Sequence, residues 1–228
     1  QTTQYPLKTA NIPTIFKTRI LELSDIHSLE VNFFDLNGKL LLSSNSKINN
    51  NKKSKIPAEI LFNLGKSSKK RIVITGGAGF IGSNLVSRLL HNGHEVVVVD
   101  DLSTGLRANL EGMSCEQHII SITDSSALRN ALSKCKTIFH LAARGSIPRS
   151  IKNPVGTHEV NATGTLNVLE IARQTGAHII YSSSSSVYGR NKELPKDEFM
   201  WLGPMSPYAA SKLSAESYVQ AYSAAYQV

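Results

Sequence analysis

From Arg71 onward the chain alternates between two apolar spacings. Arg71–Thr75, Glu95–Val99, Thr137–Leu141 and His178–Tyr181 are short runs rich in β-branched residues, with consecutive apolar positions at their centres. That pattern predicts strands buried on both faces. His118–Ile120 predicts one further strand, third in order. Between these runs the apolar residues fall at helical spacing. In Phe80–His91 the residues Ile81, Leu85, Leu89 and Leu90 share a side, and Gly93 is placed to cap the end. Ser125–Leu132, Val160–Thr175 and Tyr208–Tyr226 complete the expected helices. Strands that alternate with helices predict an α/β fold: a doubly wound parallel sheet with helices on both faces. A sixth strand would follow the last helix, and the pattern stops at Val228 before reaching it.

The first 66 residues follow a different design. Thr18–Ile26 predicts a short helix. Phe33–Leu36, Asn37-Gly38 and Lys39–Leu42 predict a β-hairpin, since Asn-Gly supplies the positive φ angles of a tight two-residue turn. This stretch resembles a piece of the sensor region of bacterial sensor kinases, of PAS or Cache type, over about 40 residues. A small hairpin without a binding role is the plainer expectation. The expected organisation is a small α+β segment over 1–66, a Lys/Ser-rich linker over 67–70, and a domain over 71–228.

Charge supports that division. The chain carries a formal net charge of +8. Residues 1–70 hold eleven Lys/Arg against five Asp/Glu, and the rest hold fourteen against twelve. The basicity therefore belongs to the amino-terminal part, around an Asn/Ser-rich stretch at Ser43–Asn51 and the lysines that follow. No interleaved aromatics accompany it, so a nucleic-acid partner is not expected. No apolar run approaches the ~18–20 residues of a membrane span, so no membrane partner is expected either. Cys115 and Cys135 have no metal or redox spacing. The expectation is a reduced, cytoplasmic protein without a bound metal.

Candidate chemistry begins at Thr75-Gly76-Gly77-Ala78-Gly79-Phe80-Ile81-Gly82, between the first strand and its helix. Gly76 permits a tight turn. Gly79 lets a pyrophosphate approach the backbone, and Gly82 lets the helix pack against the sheet. The helix start at Phe80 and Ile81 offers N–H groups and a positive dipole end to phosphate. Eighteen residues beyond Gly82, at the end of the second strand, Asp100 is placed to accept hydrogen bonds from the adenosine ribose. Its charge would repel a 2′-phosphate, which favours NAD over NADP. Arg107 is the nearby residue that would serve the phosphorylated cofactor.

The Gly-x-x-Gly-x-x-Gly spacing resembles the extended short-chain dehydrogenase/reductase family, with its Rossmann fold, and the likeness runs across 71–228. Phe139-His140-Leu141-Ala142-Ala143 is similar to the family's fourth-strand motif beside the nicotinamide ribose. Leu141, Ala142 and Ala143 are thereby expected at the cofactor, and His140 in the scaffold. Asn161-Ala162-Thr163-Gly164-Thr165 is similar to its helix motif, whose Asn helps hold the central sheet; Asn161 is counted with the cofactor site. One position departs: Ser121 stands where the family often has an Asp that contacts adenine.

Tyr208-Ala209-Ala210-Ser211-Lys212 places Tyr and Lys at i and i+4, on one helical face. A phenol ionises near pH 10, so it serves as a base near neutrality only beside a cation. The resemblance makes Tyr208 the proton acceptor. It gives Lys212 two tasks: favouring the phenolate and bonding the nicotinamide ribose. In Tyr181–Gly189 five serines run together, and counting back from Tyr188 matches Ser184 to the family's catalytic serine and Ser186 to a substrate contact. The run leaves that register open by one position. The acid pair of the 4,6-dehydratase relatives is absent, with serines in its place. Gly145–Ser150, which includes Arg149, resembles a substrate loop of UDP-N-acetylglucosamine 4-epimerases. The resemblance therefore implies an NAD-dependent nucleotide-sugar 4-epimerase of UDP-N-acetylglucosamine or UDP-glucose type, a homodimer when complete, whose substrate lobe would lie past the sixth strand. The alternatives are a related dehydratase, decarboxylase or reductase, or a fragment that only binds NAD.

Overall fold

The computed structural model describes residues 69–227, together with the backbone of two short strands at 32–34 and 40–43. By backbone proximity the chain divides into two units, Gln1–Ser67 and Ser68–Val228.

In the first unit β1 (Asn32–Phe34) pairs antiparallel with β2 (Leu40–Ser43). Asn32 pairs with Ser43 and Phe33 with Leu42. Between Phe33 and Phe34 the register shifts, and Phe34 faces Leu40. The turn itself and the helix expected over Thr18–Ile26 lie outside the described residues.

The second unit is built on five parallel strands in the order β5-β4-β3-β6-β7. They are β3 (Arg71–Thr75), β4 (Glu95–Val99), β5 (Glu116–His118), β6 (Thr137–His140) and β7 (His178–Tyr181). Their helices are α1 (Phe80–His91), α2 (Ser125–Ala131), α3 (Ile147–Lys152), α4 (Pro154–His158), α5 (Gly164–Thr175) and α6 (Pro207–Tyr226). Val96, Val97, Val98 and Val99 are all buried, so β4 has no solvent face and its run of valines needs no polar alternation. One core joins Val73, Val97 and Ile138 of the sheet to Leu128, Val168 and Leu169 of α2 and α5. α1 ends where Gly93, at φ +82°, returns N–H bonds from Gly93 and His94 to the last turn.

Four boundaries differ from expectation. The third strand lies at Glu116–His118, ahead of the apolar pair Ile119-Ile120, because register with Val97–Val99 decides pairing. Within Gly145–Ser150, taken as loop, begins a helix, Ile147–Lys152, whose first turn holds Pro148 and whose cap is the Ser146 hydroxyl, accepting from Arg149 N–H. Helix also begins earlier than Val160, at Pro154, capped by Asn153. Between α4 and α5 the residues Glu159–Thr163 form a wider π-helical turn.

After β3 the chain winds first to β4 and β5, then returns to β6 on the other side. The order therefore reverses between β3 and β6, with Thr75 opposite His140 at their carboxyl ends. A crevice opens at such a reversal, and that is where ligands of open α/β sheets sit.

Candidate functional site

The crevice holds about 580 Å³ of empty space, partly open to solvent, lined by Gly76, Gly79, Asp100, the 101–105 loop and Leu141–Arg144. Its floor is a loop of glycines. Gly76 has φ +75°, and a Cβ there would lie 2.7 Å from Ala142 N. A Cβ on Gly82 would strike the Gly76 carbonyl and come within 2.7 Å of Gly77 Cα. Both positions are closed to side chains by the fold. Gly79 is different: a Cβ there would meet only Gly76 O, at 3.3 Å, and otherwise project into open space. The helix that follows has no side-chain cap and no acid in its first turn, which leaves its positive end unneutralised. A backbone cradle with room outside Gly79 and a positive helix end fits a pyrophosphate. Phe80 and Ile81, both exposed, stand at that helix start, whereas Gly82 is buried beneath the loop.

Asp100 is committed to this loop. Its Oδ2 accepts from Ala78 N–H and its Oδ1 from Leu102 N–H, both at 2.9 Å. The sequence reading gave it to the ribose alone; here it also braces the phosphate loop. The Ala78 carbonyl is held from the other side by Asn109 Nδ2 at 2.7 Å and Leu106 N–H at 3.1 Å. Gly105 makes this approach possible, since a Cβ there would lie 2.9 Å from Ala78 Cβ. Sequence reasoning missed Ser103, Thr104, Gly105 and Asn109. Their stretch has no apolar periodicity, and its signal is only a Gly-containing polar run after a strand.

His140 bridges the crevice floor to α5. Its Nδ1 lies 2.6 Å from Thr75 Oγ1 and its Nε2 2.9 Å from Thr165 Oγ1. Burial pushes its pKa down to about 3, so it is a neutral strut. Asn161 also belongs to the scaffold. It is buried, its Oδ1 accepts from Arg144 N–H at 2.7 Å, and its Nδ2 donates to Ser211 Oγ at 3.0 Å. Its carboxamide is thus engaged within the protein. The π-turn lets Asn161 tie the β6 exit to α6.

The second cluster sits where β7 ends and α6 begins. Ser206 caps α6 through Ala209 N–H, and Pro207 occupies the first position, where a missing N–H costs nothing. This start fixes Tyr208 in the first turn. Lys212 follows one turn later with 4% of its surface exposed. Its Nζ donates to Ser182 O at 2.6 Å and lies 4.3 Å from the Tyr181 ring centroid. Burial lowers its pKa to about 8, partly opposed by Glu216. Ser184 caps the turn Ser185–Tyr188 and lies 2.8 Å from Ser186 Oγ. Ser183 turns instead to Glu216.

The structure therefore brings Gly76, Gly79, Asp100, Leu141, Ala142 and Ala143 to one crevice. Lys212 joins α6 to the strand end that carries Ser184 and Ser186. Arg149 stands exposed on α3, which packs against α6. Among the described residues no group of three or more His, Cys, Asp or Glu is arranged to hold a metal ion, and no helix is long and apolar enough to cross a membrane.

Comparison with known proteins agrees with this architecture. The NAD dependent epimerase/dehydratase family matches residues 72–228. UDP-glucuronic acid decarboxylase 1 of Danio rerio is 37% identical over 164 residues, 70% of this chain and 39% of the relative. UDP-glucose 4-epimerase of Mycolicibacterium smegmatis is 42% identical over 160 residues, 67% of this chain and 51% of the relative. The crystal structure of Thermus thermophilus UDP-glucose 4-epimerase in complex with NAD superposes with a TM-score of 0.66 at 37% identity, covering 69% of this chain and 52% of that one. The chain spans about half or less of the length of these relatives. It belongs to the NAD dependent epimerase/dehydratase family, whose cofactor is NAD.

Proposed function

We propose that this chain binds NAD in the β3–β6 crevice and carries the acid/base residues of a UDP-sugar 4-epimerase. The observation that carries the reading is Lys212. It is a buried ammonium one turn beyond Tyr208, with its Nζ on the carbonyl of Ser182, two residues ahead of Ser184. Tyr208 and Lys212, at i and i+4, share one face of α6, so the buried cation and the proposed proton acceptor for a sugar hydroxyl lie on the same side of the helix.

In this reading the backbone of Gly76–Gly82 and the start of α1 hold the pyrophosphate. Asp100 faces the adenosine ribose, and Leu141–Ala143 pack beside the nicotinamide ribose. When bound, NAD supplies acceptance and return of a hydride at C4 of the sugar. Tyr208 Oη takes the C4 hydroxyl proton and later gives it back. Ser184 Oγ orients the reacting oxygen, Ser186 and Arg149 meet the nucleotide sugar, and Lys212 Nζ steadies both the phenolate and the ribose. The 4-keto sugar re-presents its other face, so the configuration inverts without net redox change. UDP-N-acetylglucosamine and UDP-glucose are the substrates proposed.

The test is interconversion of UDP-N-acetylglucosamine with UDP-N-acetylgalactosamine, and of UDP-glucose with UDP-galactose, alongside NAD titration. Tyr208→Phe is expected to cut turnover by ~10²–10⁴-fold, the usual range for one positioned acid/base group, with NAD affinity nearly intact. Steady NADH accumulation would mark a dehydrogenase and overturn the reading. Release of carbon dioxide from UDP-glucuronic acid would favour the second reading, decarboxylation, which the 37% identity to a UDP-glucuronic acid decarboxylase supports. NAD binding without turnover of any of these sugars would leave a binding module.

A further inference from the structure

One acidic side chain outside the proposed triad reaches the same edge. Glu216 follows Lys212 by four residues and Tyr208 by eight on α6, so the three share a helical face. Ser183 Oγ donates to Glu216 Oε2 at 2.5 Å, while Lys212 Nζ donates to Ser182 O at 2.6 Å. Two successive residues at the end of β7 are thus held from one helix, the first by its backbone and the second by its side chain. The next residue is Ser184.

We propose that Glu216 is a positioning residue that commits the Ser183 hydroxyl, fixes the orientation of the Ser184 turn and sets the electrostatic field on the Lys212 ammonium. The inference rests on the reading of Tyr208, Lys212 and Ser184 as the acid/base group. It also bears on the open register of the serine run: Ser183 is engaged by Glu216, while Ser184 caps the Ser185–Tyr188 turn.

The groups that face Lys212 show why one carboxylate matters. From β7 comes the Tyr181 ring, beneath the ammonium. From β6 comes His140, kept neutral by burial and by the Lys212 charge. From α6 come Tyr208 and Glu216. Burial works against the ammonium and Glu216 works for it. Among these groups Glu216 is the one carboxylate.

The test uses the full chain labelled with ¹³C-lysine, with Lys212→Met to assign the Lys212 Cε signal. The pH midpoint of that signal is expected near 8 in the parent. Glu216→Gln should lower it by about half a pH unit or more, because a neutral amide no longer favours the ammonium. Glu216→Asp, which keeps the charge, should restore most of the parental midpoint. Ser183→Ala should keep the midpoint but speed amide hydrogen exchange over residues 184–188. These readouts need no NAD, so they separate failure of this inference from failure of the proposed function. A parental midpoint in Glu216→Gln would overturn the electrostatic role, and parental exchange in Ser183→Ala would overturn the positioning of the turn.

Discussion

Around Gly76–Gly82 the groups offered to a ligand are backbone, and the side chains that matter are mostly those left out. Around Tyr208–Lys212 the offered groups are side chains, and their properties come from what surrounds them. The cradle is assembled from residues 75–109: Asp100, Leu106 and Asn109 all bond the backbone of one residue, Ala78. The second region joins parts far apart in sequence. Lys212 bonds a carbonyl 30 residues away, and Asn161 reaches Ser211 across 50. A site made of backbone tolerates little change of shape. A site made of buried side chains is tuned by desolvation and neighbouring charge. The two halves should therefore respond differently to substitution.

The sharpest contrast lies within the cradle. Gly82→Val places atoms against the Gly76 carbonyl and within 2.7 Å of Gly77 Cα. Overpacking of this kind costs about 1–3 kcal/mol. Calorimetry should find NAD binding lost, and thermal melting should find Tm lowered. Gly79→Val meets only one atom, at 3.3 Å. Its Tm should stay parental while NAD affinity falls about tenfold or more, since the side chain occupies the space proposed for phosphate. Unchanged NAD affinity in a folded Gly79→Val chain would place the cofactor elsewhere.

Asp100→Ala comes next. If the acid served the ribose alone, only affinity would change. Because it also bonds Ala78 and Leu102, both NAD affinity, by about tenfold, and Tm should fall. In the parent chain NAD should bind more tightly than NADP, and equal affinities would remove the assigned charge effect.

Lys212 gives a smaller effect of a different kind. Burial lowers its pKa from the ordinary 10.5 to about 8. Between those values the unfolded chain still binds a proton that the folded chain has released. Stability from this group therefore rises as pH passes 8, and is lost as pH falls back through 8. Denaturant melts should show the parent gaining about 1 kcal/mol between pH 7 and 9 relative to Lys212→Met. A flat difference would mean that the ammonium is not desolvated. The smallest effect is expected from removing residues 1–67: a chain beginning at Ser68 should keep its NAD affinity within about twofold. A larger loss would tie the first unit to the cofactor site.

The cradle was the more legible half. Its glycines stand at fixed spacing because a turn, an approach and a helix packing each exclude a Cβ, and such exclusions show in a linear sequence. Even there the clasp from Asn109 and Gly105 was invisible, because a non-periodic loop gives no hint of where it folds back. In the second half the Tyr208–Lys212 pair was legible because i and i+4 always share a helical face. The bonds of Asn161 were not legible, for the converse reason: its neighbours are set by a π-turn and by two elements distant in sequence. The helix at Ile147–Lys152 was missed because Gly145 and Pro148 read as loop, although proline suits a first helical turn.

The sequence by itself determined the alternation of strand and helix, the phosphate loop and the helical pairing of Tyr208 with Lys212. All three follow from backbone sterics and short-range periodicity. Only the tertiary structure decided the rest. It gave Asp100 to Ala78, bound the Asn161 carboxamide to Arg144 and Ser211, neutralised His140, tied Ser183 to Glu216 and moved the Lys212 pKa to about 8. Each of these depends on which groups exclude water from which, and that is fixed when the sheet closes under its helices.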